Sequence, residues 1–297
     1  MRKQLFITWA DICIMKSKMM NANKVWYVTG ASKGLGLSLV KKLLAEGYRV
    51  AATSRSAAQL QDVVGEHEDF LALEVDLTDN DSIWESVQKA HKHFGSIDVV
   101  VNNAGYGIGG AAEELSDKEI KDCFDINVFA TINVVQHVLP FMRAQGSGSI
   151  INIASIAGFA AAMGWGMYAA TKFAVVGFTE VLAEEVRDFG IKVTVAEPGA
   201  FRTEFLSGAS LVVSKNKIDA YESVRDSLAL YQKRDGVQAG DPNKAAEVFI
   251  ALAENPNPPV RLFMGTDAYA RANAKLELIK GELEQWKELS FSTDFPA

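Results

Sequence analysis

The sequence predicts an α/β fold: a single Rossmann-type, doubly wound parallel sheet of about seven strands with helices on both faces. Two observations carry that expectation. From Lys24 onward, short β-branched runs alternate with helical segments, the pattern of strand–crossover–strand units. The runs are apolar nearly throughout, as strands must be when helices cover both sides of a sheet. Right-handed crossovers then leave few topologies open.

Strands are expected at 25–29, 48–53, 70–75, 99–102, 149–154, 192–196 and 260–264. Helices are expected between them at 34–46, 56–64, 80–94, 117–142, 167–188 and 243–253. Asp79-Asn80-Asp81 supplies capping chemistry for the third helix, and Ser116 with Glu119 forms a Ser-x-x-Glu capping box for the fourth. Asn255-Pro-Asn-Pro-Pro259 stops the last of these helices before the final strand. A C-terminal helix near 276–289 carries Leu276, Ile279, Leu283 and Trp286 at helical spacing. No repeat or linker divides the chain, so residues 23–297 are expected to form one domain. Residues 200–240 follow a strand end and do not return quickly to the sheet, the position of a substrate loop or lid.

The first 22 residues resemble a signal peptide only in outline. Asp11 interrupts the apolar stretch, Lys16 and Lys18 follow it, and no small-x-small cleavage site is present. Met15, Met19 and Met20 offer later starts, so residues 1–22 are read as an extension outside the fold. Of 297 residues, 48% are hydrophobic and 23% charged, the composition of an ordinary globular enzyme. A net charge of -7 with no basic block argues against nucleic acid as the partner. No stretch reaches transmembrane length, so no membrane partner is expected. Two cysteines, Cys13 and Cys123, imply no disulfide framework and fit a reducing, cytoplasmic setting. His91 and His93 are two apart in an expected helix, so they diverge, and no ligand-spaced partner accompanies them. No metal site is expected.

Thr29-Gly-Ala-Ser-Lys-Gly-Leu-Gly36 joins the first strand to the first helix. Gly30 permits the sharp turn, Gly34 lets backbone approach a pyrophosphate, and Gly36 lets the helix lie close to the sheet. Amides at the helix start then face the anion. A dinucleotide is the ligand this arrangement suits. An acid at the end of the second strand would accept hydrogen bonds from a free ribose 2′-hydroxyl. Thr53-Ser54-Arg55 stands there instead, and Lys33 lies in the glycine loop, so two cations and nearby hydroxyls favour NADP(H) over NAD(H).

Tyr168 and Lys172 are four apart, so their side chains share one helix face. That spacing alone is a weak signal. Ser155 adds weight, because it ends the fifth strand, and ligands bind at the carboxyl ends of such strands.

Together the motifs resemble the short-chain dehydrogenase/reductase family over nearly everything after residue 23. They run in order: Thr-Gly-x-x-x-Gly-x-Gly at 29–36, Asp76-Leu77, Asn-Asn-Ala-Gly at 102–105, Asn127, Ser155, Tyr168-x-x-x-Lys172, and Pro198-Gly199 followed by Thr203. The tail is similar to bacterial reductases grouped with retinol and hydroxysteroid dehydrogenases. The resemblance implies an NADP(H)-dependent oxidoreductase interconverting a carbonyl and an alcohol by hydride transfer. Tyr168 is then the general acid or base, with its pKa lowered by Lys172. Ser155 steadies the substrate oxygen, and Asn127 holds a water leading from Lys172 to solvent. Gly30, Ser32, Lys33, Gly34, Leu35, Gly36 and Arg55 are implied cofactor contacts. So are Asp76 and Leu77 at the adenine and Asn103, Ala104 and Gly105 along the cofactor's path. Tyr168, Lys172, Pro198, Gly199 and Thr203 complete the set at the nicotinamide end. Read only as local structure, Asp76 caps a turn and Pro198-Gly199 bends the chain.

Tyr106, Ile108, Phe159, Met163, Trp165, Phe205 and Leu206 form the expected pocket wall, which suits a small hydrophobic carbonyl or alcohol. By analogy with relatives, helices 117–142 and 167–188 suit a homodimer or homotetramer. Two alternatives are a cofactor-sensing regulatory protein, which predicts a disrupted Ser-Tyr-Lys set, and a dehydratase or epimerase on the same scaffold.

Overall fold

The computed structural model describes residues 24–206 and 210–295. The 1–22 extension, with Cys13, lies outside them. Among the described residues nine strands occur: β1 (Val25–Val28), β2 (Arg49–Ser54), β3 (Phe70–Glu74), β4 (Val99–Asn102), β5 (Gly107–Gly109), β6 (Gly148–Ile153), β7 (Ile191–Pro198), β8 (Leu211–Val213) and β9 (Arg261–Met264). Seven form one parallel sheet in the order β3-β2-β1-β4-β6-β7-β9. The chain reverses its winding between β1 and β4, which opens a crevice at their carboxyl ends.

Helices α1 (Gly34–Ala45), α2 (Ala57–Val64), α3 (Asn80–Phe94), α4 (Asp117–Phe124), α5 (Ala130–Gln145), α6 (Gly166–Glu185), α7 (Glu222–Gln232), α8 (Pro242–Glu254), α9 (Thr266–Gln285) and α10 (Lys287–Phe291) connect or flank the strands. Trp26 and Tyr27 show why both faces are covered. Neighbours on β1 point to opposite sides, and both are fully buried. Trp26 joins the core beneath α1 and α8, whereas Tyr27 joins the core beneath α3, α5 and α6. Each such side chain contributes about 1.5–3 kcal/mol of burial. Among the described residues no helix is long and apolar enough to cross a membrane.

Local chemistry sets several boundaries. Ser56, Asp79 and Asp241 each accept a backbone N–H at their helix start, and Ser116 and Glu119 form the expected reciprocal capping box. Three expectations are corrected. The helix expected at 117–142 is broken by a π-helical turn, Asp125–Phe129, between α4 and α5; the apolar period runs through this turn and hides it. The parallel pair β5·β8 was not foreseen, because its strands are three residues long and one is two-thirds glycine. The C-terminal helix begins at Thr266, ten residues early, since Ala268 and Ala272 bury without forming a strong apolar stripe.

Candidate active site

The glycine turn is fastened from both sides. Thr29 Oγ1 accepts from the backbone N–H of Asn103 (3.0 Å) and Ala104 (3.1 Å). Asn103 Nδ2 returns two bonds, to Thr29 O and Gly30 O. Gly30 has φ +66°, and a Cβ there would lie 2.7 Å from Ala104 Cα; one at Gly36 would lie 2.5 Å from Asn103 Nδ2. Glycine is therefore required at both positions for close approach. Gly34 also has positive φ and sits beside Thr203, which is remote in sequence. Lys33, the N-cap of α1, supplies no side-chain cap, so the first amides of α1 remain open to an anion. Ser32 and Leu35 are half-buried in this turn, Leu35 against the core.

Lys33 and Arg55 come together. Burial and then Arg55 hold the Lys33 ammonium below its ordinary range, while Glu204 opposes them. Of the hydroxyls at this strand end, Ser54 Oγ donates to Ser56 O and accepts from Ser56 N, and Thr53 is fully buried. Asp76 closes a turn, accepting from Thr78 N (2.9 Å) and Thr78 Oγ1 (2.7 Å), bonds that hold its carboxyl low. Leu77 packs against the core below it.

Ser155 follows β6 and caps the short turn Ile156–Gly158, accepting from Ala157 N at 3.1 Å. Its hydroxyl lies near enough to the Tyr168 phenol to pull that group's pKa down. Tyr168 stands in the first turn of α6, 6% exposed, and Lys172 follows one turn later. Lys172 Nζ donates to Ile153 O at 2.9 Å and lies 5.8 Å from the Tyr168 ring centre. Gly158 lets the serine turn pack on α6, because a Cβ there would meet Lys172 O at 2.8 Å. Asn127 sits in the π turn, and its amide is engaged: Nδ2 donates to Tyr106 O and Thr171 Oγ1, and Oδ1 accepts from Tyr106 N. A Cβ on Gly105 would lie 3.0 Å from Asn127 Oδ1 and 3.5 Å from Lys172 Nζ, so Gly105 leaves that space clear.

Burial pushes the Tyr168 phenol well above its ordinary value, and the Ser155 hydroxyl opposes it. The sequence assigned that opposing role to Lys172, but the ammonium is turned to Ile153 O. Burial pushes Lys172 itself down to about 8.

At the other wall, Pro198 ends β7. Gly199 N–H donates to Met264 O, and a Cβ on Gly199 would collide with Asp267 Oδ1 at 2.2 Å. Above Tyr168 lies an apolar cluster of Ile108, Trp165, Leu211, Val224 and Leu228, with Tyr106, Phe205, Leu206 and Tyr231 packed on it. Trp165 meets Tyr168 edge-on at 5.7 Å. Two expected wall residues are elsewhere. Phe159 packs against Ile156 and Phe263, and Met163 is 54% exposed. Leu211, Val224, Leu228 and Tyr231 were missed, because only the folding back of 210–232 brings them over the site.

The short chain dehydrogenase family pattern matches residues 24–211. This chain belongs to that family. An oxidoreductase, BOA17, from Botryotinia fuckeliana is 36% identical over 91% of this chain and 99% of its own. A short-chain dehydrogenase from Streptomyces avermitilis superposes with a TM-score of 0.85 at 37% identity, covering 92% of this chain and 99% of that one. Among more distant solved neighbours, ElxO holds NADP (28% identity, TM-score 0.70; 83% of this chain, 99% of that one). A 3-ketoacyl-(acyl-carrier-protein) reductase from Brucella melitensis is complexed with NADH (25%, 0.68; 81% and 96%). As a short-chain dehydrogenase the chain is an oxidoreductase of a family that binds nicotinamide cofactors. A further brace, which sequence reasoning did not single out, steadies its site: Asn102 Nδ2 donates to Asn152 Oδ1, and Asn152 Nδ2 donates to Thr179 Oγ1 on α6. Its signal is three polar residues at buried positions.

Proposed function

We propose that this short-chain dehydrogenase is an NADP(H)-dependent enzyme that interconverts a small hydrophobic carbonyl and its alcohol, with Tyr168 as general acid/base. The observation that carries the reading is the convergence of Ser155 and Tyr168, with Lys172 one turn further on, at the carboxyl edge of the sheet beneath an apolar cover. When bound, the cofactor supplies or accepts the hydride. Gly30, Ser32, Gly34, Leu35 and Gly36 would hold its pyrophosphate, and Lys33 with Arg55 its 2′-phosphate. Asp76 and Leu77 would flank the adenine. Asn103, Ala104, Gly105, Pro198, Gly199, Thr203 and Lys172 would line the path to the nicotinamide end.

During reduction, Tyr168 Oη gives its proton to the substrate oxygen; during oxidation it takes that proton back. Ser155 Oγ donates to the same oxygen where negative charge develops. Lys172 keeps two ammonium protons beyond its bond to Ile153 O, and with Asn127 leads the returning proton from solvent. A phenol held high by burial stays protonated at neutral pH, the form that reduction needs, while the phenolate that oxidation needs is scarce there. The oxidative rate should therefore gain as pH rises. Residues 200–240 act as the lid over an apolar substrate. A cytoplasmic homodimer is the assembly we infer; Phe129, Phe173 and Val181 near and along α5 and α6 are exposed and apolar. A panel of carbonyls and alcohols assayed by change in NADPH absorbance tests the reading. Turnover of an apolar ketone or aldehyde is expected, and no redox turnover across the panel contradicts it.

A further inference from the structure

Glu197 is the residue immediately before Pro198, and it is fully buried. On its face of the sheet it lies beside Arg261 of β9, whose Nε sits 3.1 Å from Glu197 Oε1. The N–H is not aimed at that oxygen, and neither carboxylate oxygen has a hydrogen bond among the described residues. A buried carboxylate held by one ion contact alone is costly, because burial removes its water without replacing the bonds. Such a group calls for an explanation.

Arg261 links it to α6 and to the segment that follows the serine turn. Its Nη2 reaches Glu180 Oε1 on α6 at 3.0 Å, two turns beyond Lys172. Its guanidinium lies against the rings of Phe159 (5.1 Å) and Phe263 (5.7 Å). Phe159 directly follows the turn that Ser155 caps. Among the described residues the charged groups around Glu197 are few. β9 contributes Arg261 and α6 contributes Glu180, while the serine turn contributes only the uncharged Ile156 and Phe159. On α9, Asp267 accepts from Ala200 N, and Arg271 donates to Ala160 O.

We infer that Glu197 and Arg261 are a positioning pair for the reaction: ionised Glu197 holds the guanidinium under Phe159, and this seats Ser155 against Tyr168 and fixes the turn at Pro198. The inference rests on the proposed roles of Ser155 and Tyr168. With Glu197 protonated, Arg261 is released toward Glu180 and solvent, Phe159 loses its seat, and Ser155 drifts from the tyrosine. Burial pushes the Glu197 carboxyl up to about 7, with Arg261 pulling against it, so the exchange falls near neutral pH.

The test is kcat and KM for one carbonyl with NADPH between about pH 6 and pH 9, for wild type, Glu197→Gln and Arg261→Met, with melting temperature at each pH. Wild-type kcat is expected to fall as pH drops through 7. Glu197→Gln should show the low acid-form kcat, about tenfold down, at every pH, with KM within about twofold. It should also melt higher than wild type above pH 7, since a buried charge is gone. Arg261→Met should likewise show a low kcat with no acid limb, since the guanidinium that Glu197 holds is gone. An acid limb unchanged in Glu197→Gln overturns the inference. So does kcat falling in proportion to melting temperature, the mark of a merely structural role. Tyr168→Phe run alongside separates the two ideas: full activity in that variant refutes the tyrosine's role, whereas an unmoved limb in Glu197→Gln refutes only the pair.

Discussion

The proposed cofactor preference rests on Lys33 and Arg55, and both were legible as cations at the two places where such a ribose would be read. Glu204 was not, because nothing in its local sequence says that the chain after β7 folds back beside the glycine turn. Replacing Lys33 and Arg55 together with alanine is expected to weaken NADPH binding about 10- to 100-fold and leave NADH nearly unchanged, as lost charge-assisted bonds require. Fluorescence titration with both cofactors checks this, and equal loss for the two would contradict it. Lys172 gives a pH expectation. Its ammonium is depressed to about 8 from 10.5, so the protonated lysine is lost as pH rises through about 8. The reductive rate should fall along that limb if Lys172 acts as an ammonium; a flat profile to about pH 10 speaks against that role. By linkage, its contribution to stability is present above 10.5 and lost as pH falls through about 8.

At the level of elements, caps and strands were readable because their signals are local. Ser116 and Glu119 announce their box within four residues, and Ser116→Ala should cost about 1 kcal/mol in chemical denaturation. The π turn around Asn127 was not readable: an extra residue per turn leaves no mark in an apolar period, and Asn127 is fixed by Tyr106, which belongs to another segment. The cover over the site was equally hidden. Buried Glu114 anchors it, accepting from Ile218 N at 2.9 Å and Arg225 Nη1 at 2.8 Å. Glu114→Ala should loosen 211–232, seen as faster amide exchange there, and raise KM more than it lowers kcat. Unchanged exchange would show that the segment is held some other way.

The whole molecule was the most legible scale, since alternation of strand and helix over most of the chain fixes a parallel sheet and its crevice. The short β5·β8 sheet and the buried charges under the crevice escaped, because they depend on contacts between segments far apart in the chain. Glu197 gives the global pH expectation. Its folded-state carboxyl titrates near 7 against an ordinary 4.5, so the folded chain binds the extra proton in between. That stabilising contribution is full below 4.5 and is lost as pH rises through about 7, and the Glu197→Gln variant should lack this decline.

The most direct measurement is turnover of NADPH with an accepted ketone by wild type and Tyr168→Phe, alongside cofactor affinity for each. Tyr168→Phe should bind NADPH as wild type does and turn over about 10²- to 10⁴-fold more slowly. Wild-type turnover in that variant would contradict the account.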